Sequence, residues 1–291
     1  MNAQLQSFTP EELLDRHGYI GGSDSAAAIG LNKYHSTFDL WQEKCGLVPS
    51  FQGNEATLWG KLHEPVVRQQ VAERTGRVIR LPTETIFHPK HKFIGCHPDG
   101  VMDGRRLYEG KTARFADGFG DEGTDQVPEH YLVQVQHNMM VCDLDVCDLG
   151  VLIGGSELRL YEIPADKNMQ QLILDAEQRF WTMVLAKIPP PPDTGREDAI
   201  EVLKRMYPGT DGKSIEADDA LNTVAEDLKA QKLIVKNAEG LVTEMKAKLL
   251  AAMGNATYLT LKDGSKYRRA LVERKAYDVK ASSYMDFRAL K

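Results

Sequence analysis

The sequence predicts an α/β (α+β) chain, and three patterns carry that prediction. Two short strand-like runs, 92–102 and 106–112, flank Asp103-Gly104, a dipeptide that is a strong hairpin signal. Segments with apolar residues at helical spacing surround them, at about 53–75, 127–141 and 167–187. Beyond a proline run, a long periodic stretch over 218–253 and a second candidate hairpin form a C-terminal extension.

Taken in chain order, Gly21-Gly22-Ser23 reads as a turn, with Ser23 capping a short helix over 24–29 that Gly30 closes. The helix over 53–75 has Leu58, Leu62, Val66, Val67 and Val71 as its apolar stripe, and Pro65 is expected to kink it. In the strand over 106–112, alternation puts Glu109 and Lys111 on one face and Tyr108 and Gly110 on the other. Pro128 opens the helix over 127–141 at a position where a missing N–H costs nothing.

The helix over 167–187 must end at Ile188-Pro189-Pro190-Pro191-Pro192-Asp193, an extended, stiff segment. The expected organisation is therefore a core at 1–187, a linker at 188–195 and an extension at 196–291. That extension begins with a short helix over 197–206 and a Tyr207-Pro208-Gly209 turn. The long helix over 218–253 is amphipathic and charged, which suits packing in cis, a coiled-coil contact or a partner surface. Strands at 257–261 and 266–273 flank Asp263-Gly264. Tyr258, Tyr267, Tyr277 and Tyr284 alternate there with basic residues, a mixture that can touch nucleic acid or protect an exposed strand edge.

With 291 residues and 42% hydrophobic content the chain can bury a real core. No run of 18 apolar residues and no signal-peptide pattern is found, so a cytoplasmic, non-membrane protein is expected. Cys45, Cys96, Cys142 and Cys147 form no C-x-x-C pair and read as buried thiols. A net charge of −6 runs against nucleic-acid binding, but residues 262–291 hold nine Lys or Arg against four Asp or Glu. The tail is thus +5 and residues 1–261 carry −11.

The chemistry lies in His97-Pro98-Asp99-Gly100 followed by Glu109-Gly110-Lys111. Cutting a phosphodiester needs a hard divalent cation held by carboxylates, an activated water and a positive group near the phosphorus. Asp99 and Glu109 supply oxygens and Lys111 the charge. Glu64, in Trp59-Gly60-Lys61-Leu62-His63-Glu64, adds a carboxylate, and Gln134 or Gln136 can reach the same place with a neutral amide. Each motif alone also fits a solvated hairpin or helix surface.

The order Glu64, Pro98-Asp99-Gly100, Glu109-x-Lys111 and Gln134-Val135-Gln136 resembles the YqaJ-like viral recombinases, relatives of phage lambda exonuclease in the PD-(D/E)XK nuclease superfamily. The resemblance covers about residues 14–186. It implies a central mixed sheet flanked by helices and a 5′→3′ exonuclease on linear double-stranded DNA. It also implies two Mg2+ ions, with Mn2+ able to substitute, 3′ overhangs for recombination by strand annealing, a homotrimer around the DNA and an annealing partner. Asp99, Glu109 and Glu64 would ligate metal, Lys111 would act as base or electrostatic stabiliser, and Gln134 would line the site. Arg16 and Ser23 resemble the family's contacts to the DNA 5′-phosphate. His97 stands where the phage enzyme has serine, and it can donate to phosphate when protonated, ligate metal or only pack. The competing expectations are an endonuclease or end-trimming nuclease, and a non-catalytic DNA-end or protein-binding module.

Overall fold

A computed structural model describes residues 16–49 and 53–273. The expectations placed on the first residues, on Tyr277 and Tyr284 and on much of the basic tail lie outside them. The contacts divide the chain into two compact units, Met1–Tyr207 and Pro208–Lys291.

The first unit is built on a four-stranded mixed sheet, β3 (Gly100–Met102), β4 (Arg106–Ala113), β5 (Val146–Ile153) and β6 (Glu157–Pro164), in that spatial order. β3 and β4 form the expected antiparallel hairpin, with Gly100 opposite Tyr108 and the turn at Gly104 and Arg105 in left-handed backbone. β4 and β5 are parallel, so the chain must cross over between them, and α4 (Glu129–Cys142) makes that crossing. β6 returns antiparallel to β5. The single strand expected over 92–102 is two. β2 (Gly95–Cys96) pairs with β1 (Ile86–Phe87), and Pro98, with no N–H to give a ladder, separates it from β3.

Both sheet faces are covered. Leu107, Cys147, Leu149, Val151 and Ile153 pack with Val135 and Met139 of α4. On the opposite face Tyr108 and Met102 pack with Val67 and Val71 of α3 (Glu55–Thr75). That helix approaches so closely that a Cβ on Gly150 would lie 2.5 Å from a Val71 methyl. α3 runs unbroken through Pro65, capped by Asn54, whose side chain accepts from Thr57 N at 3.0 Å. Its apolar stripe is only half used: Val67 and Val71 are buried, whereas Leu62 and Val66 are exposed.

A second layer packs beyond α4. Ile20, α1 (Gly22–Ala28), α2 (Thr37–Lys44) and α5 (Lys167–Ala186) enclose Ala27, Phe38, Leu40, Trp41, Phe180 and Val184. Fully buried His137 of α4 ties the layers together, bonding Glu177 of α5 at 2.7 Å and the Gly95 carbonyl at 2.9 Å. Ser23 does not cap α1. The helix starts two residues earlier, with Gly21 as its N-cap, and Asp24 bonds back to the Gly21 N–H at 3.1 Å.

The proline run ends α5 but not the compact unit, which continues through α6 (Ala199–Met206) to Tyr207. Val202 enters the core beside Phe38 and Trp41, Arg196 donates to the Asn32 carbonyl at 2.7 Å, and Arg205 pairs with Asp39 at 2.9 Å. The division of contacts thus falls after residue 207, not at 188–195. The second unit holds α7 (Asp219–Met253), capped by Asp218 and stopped at Gly254, and a hairpin of β7 (Tyr258–Thr260) and β8 (Lys266–Arg268) turning at Gly264. Among the described residues no helix is long and apolar enough to cross a membrane.

Candidate active site

The alternation of β4 turns Glu109 toward α4, where it is 2% exposed. A carboxylate there must be satisfied by hydrogen bonds, and three side chains provide them. Lys111 Nζ donates to Oε1 at 2.7 Å and Gln134 Nε2 to the same oxygen at 2.6 Å. Asn138 Nδ2 donates to Oε2 at 3.1 Å. Gln134 and Asn138 stand four residues apart, one turn along the same face of α4, so a single helix grips both carboxylate oxygens.

Asp99 reaches this place from the segment between β2 and β3. Its Oδ2 accepts from the Gly110 N–H at 2.9 Å, which fixes it beside the centre of the Glu-x-Lys motif. Gly110 is required there, because a Cβ would lie 2.7 Å from the Tyr108 hydroxyl and 3.8 Å from Asp99 Oδ2. That hydroxyl is buried and has no hydrogen-bond partner among the described residues.

The electrostatics follow from the packing. Burial, reinforced by the negative charge of Asp99, pushes the Glu109 carboxyl up to about 7. Burial works against the Lys111 ammonium, but the charges of Glu109 and Asp99 prevail and hold it above the usual lysine range. Glu64, half-buried on α3, is also raised, first by burial and then by Asp99, although Arg68 binds it at 3.2 Å.

The structure therefore brings Asp99, Glu109, Lys111 and Gln134 together, with Glu64 within electrostatic reach on a third element. Gln136 is excluded: it is buried, donates to the Pro164 carbonyl at 2.8 Å, and accepts from Asp166 N and Gln170. His97 is exposed, so it does not pack in the core. Arg16 Nη2 donates to the exposed Ser23 hydroxyl at 2.9 Å, so these two residues do meet. Gly22, next to Ser23, lies against Asn138 so tightly that a Cβ would be 2.1 Å from its Oδ1.

Asn138 is a Glu109 partner that the motif reading missed; its signal is the i, i+4 spacing from Gln134. Lys44 was missed as well, because a lysine in the last turn of a helix reads as a solvated charge. It is buried and bonds Asp24 at 2.7 Å and the Arg16 carbonyl at 2.6 Å.

Among the described residues no three His, Cys, Asp or Glu side chains are gathered closely enough to hold a metal ion as they stand. The donor chemistry nevertheless fits a hard divalent cation: the donors are oxygens only, they come from three elements, and the charge of Asp99 helps to raise the carboxyls of Glu109 and Glu64. Lys111 supplies an ammonium hydrogen-bonded to Glu109, and a cation would relieve the remaining repulsion.

Residues 13–145 match the model of the YqaJ-like viral recombinase domain. Over this segment the chain is similar to the YqaJ-like viral recombinases. The uncharacterized protein YqaJ of Bacillus subtilis (strain 168) is 34% identical over 205 residues, or 69% of this chain, and the chain spans 64% of that relative's length. An alkaline exonuclease from Laribacter hongkongensis superposes with a TM-score of 0.50 at 20% identity, covering 68% of this chain and 97% of that one. The same enzyme in complex with dAMP aligns equally well, with the same score, identity and coverage. At that identity the likeness concerns the fold alone. The mixed sheet flanked by helices, expected from the motif order, is the architecture found. The YqaJ-like match stops just before β5, so β5, β6 and α5 complete the core beyond it.

Proposed function

We propose that this chain is a metal-dependent deoxyribonuclease that digests linear duplex DNA from its 5′ ends, leaving 3′ single-stranded tails for recombination by strand annealing. One observation carries the reading: a buried carboxylate, Glu109, is gripped by Lys111, Gln134 and Asn138 with Asp99 alongside. A purely structural site gains little from placing repelling carboxyls together, whereas phosphodiester hydrolysis needs them.

Asp99, Glu109 and Glu64 would hold divalent ions, Mg2+ or in its place Mn2+. Such ions, when bound, supply Lewis acidity at the scissile phosphate and lower the pKa of a bound water. Lys111, kept protonated by its carboxylate neighbours, serves as a positive charge beside the attacked phosphate, and a group so raised is a poor general base. Gln134 and Asn138 hold Glu109 in one rotamer, so its oxygens need no reorganisation as charge develops. Arg16 and Ser23 contact the 5′-phosphate of the DNA end, positioned by Gly22 against Asn138. Exposed His97 offers a further phosphate contact when protonated. The resemblance extends the proposal to a homotrimer around the duplex and to transfer of the 3′ tail to an annealing protein.

The test is digestion of linear duplex labelled at either 5′ or 3′ ends, with and without a 5′-phosphate, beside a closed circle, in Mg2+. Early release of the 5′ label, preference for the phosphorylated end and an intact circle support the proposal. Cutting of the circle, or release from 3′ ends first, contradicts it.

A further inference from the structure

The second unit presents an unpartnered helix whose pattern is more specific than amphipathicity. α7 spans 35 residues, and starting from Leu221 it follows a seven-residue repeat with apolar residues at every a and d position but Gln231. The a positions are Leu221, Leu228, Val235, Val242 and Leu249; the d positions are Val224, Gln231, Ala238, Met245 and Ala252. Five such heptads exceed the three or four that distinguish a coiled-coil seam from chance periodicity. The seam is uncovered: Leu221, Val224, Leu228, Val235, Val242 and Met245 are each between 44% and 62% exposed. Leu233 and Leu250 fall outside it.

The flanking positions say what covers the seam. Two copies of the helix placed antiparallel, with the two-fold axis between residues 236 and 237, bring every a residue against a d residue of the other copy. Val224 then meets Leu249, Leu228 meets Met245, and the small Ala238 and Ala252 receive Val235 and Leu221, so large and small residues interdigitate. In the same register Lys232 faces Glu239, Asp227 faces Lys248, and Ile234 faces Leu241, each twice by symmetry. A parallel pair aligns only Asp227 with Lys232 and sets Ile234 against Glu239 and Leu241 against Lys246. We infer that α7 is a self-association element that pairs antiparallel with α7 of a second copy of this chain. The cost of this register is that Gln231 faces Val242, which limits the affinity; the gain is that charge and volume both match.

Two measurements on the full-length chain test this, and both read α7 itself whatever contacts the nuclease core makes. In the first, Val224→Cys and Leu249→Cys variants carrying different tags are mixed and oxidised. Antiparallel pairing gives the mixed disulfide, because residues 224 of the two copies would lie about 37 Å apart at 1.5 Å per residue. A parallel pair instead links Val224→Cys to itself, and an α7 covered by another surface links neither; both results overturn the inference. In the second, Lys232→Glu weakens self-association about tenfold by replacing attraction with repulsion at both symmetric sites. Adding Glu239→Lys on the same chain restores it. These residues are seven apart and do not touch within one helix, so rescue cannot arise from helix propensity. Failure of the double variant to recover contradicts the register.

Discussion

Replacing Lys44 by methionine isolates the consequence of a buried ion pair on which the Arg16–Ser23 region stands. The Lys44 side chain is 4% exposed, and its ammonium bonds Asp24 Oδ2 at 2.7 Å and also donates to the Arg16 carbonyl at 2.6 Å. Its loss leaves the Asp24 carboxylate with the Gly21 N–H at 3.1 Å and the guanidinium of Arg16 at 3.5 Å. Breaking one side of a buried pair costs about 3–5 kcal/mol, and the residual Arg16 contact places this site near the lower end, at about 3 kcal/mol. For an m value of about 2 kcal/mol/M in urea, the midpoint should fall by about 1.5 M with m unchanged. Burial alone would raise the Asp24 carboxyl, but the Lys44 and Arg16 charges prevail and hold it well below the usual carboxylate range. The sign of the linkage follows. In the wild type this contribution is complete above the unfolded value of about 3.9 and is lost as pH falls through the depressed folded value. Lys44→Met should therefore flatten the acid limb of the stability curve, and adding Asp24→Asn should recover most of the loss at pH 7. A loss below about 1 kcal/mol, or a double variant as unstable as the sum of the single ones, would refute the reasoning.

Gly110→Ala should destabilise by about 1–3 kcal/mol, because the new methyl meets the Tyr108 hydroxyl at 2.7 Å, and Tyr108→Phe should rescue it in thermal melts. His137 is buried with both ring nitrogens facing acceptors; burial opposes its charge, but Glu177 and the Gly95 carbonyl hold its pKa above the ordinary value. Its stabilisation is complete below about 6.5 and lost as pH rises through the folded value, so urea midpoints should decline on the alkaline side, and His137→Gln should remove that decline. Asn138→Ala removes the donor to Glu109 Oε2, a bond to a charged group worth about 1.5–3 kcal/mol, and should slow single-turnover nucleotide release about tenfold to a hundredfold while the fold persists.

The parts legible in the sequence are those set by local geometry. Strand alternation fixes Glu109 and Lys111 on one face, Asp103-Gly104 fixes the hairpin, and Pro128 fixes the start of α4. What escaped depends on partners distant in the chain. Val66 and Leu62 continue a helical stripe, yet the sheet reaches only Val67 and Val71, so periodicity overstated the buried face. Gln134 and Gln136 are equivalent as residue types; the 100° turn per residue sends one to Glu109 and the other to the Pro164 carbonyl. Ser23 is a good capping residue in isolation, but the helix begins at Gly22, and the side chain that bonds back to its start is Asp24, which Lys44 neutralises from another helix. The proline run marks the end of α5 correctly and says nothing of Val202, which keeps the following helix on the core.

The most direct measurement is Mg2+-dependent release of nucleotides from linear duplex by the wild type and by Asp99→Ala and Lys111→Ala, with folding checked by circular dichroism. If the buried carboxylate cluster is the hydrolytic centre, both variants lose activity by more than about a thousandfold while keeping their secondary structure. Undiminished release from either folded variant, or none from the wild type with any divalent cation, would contradict it.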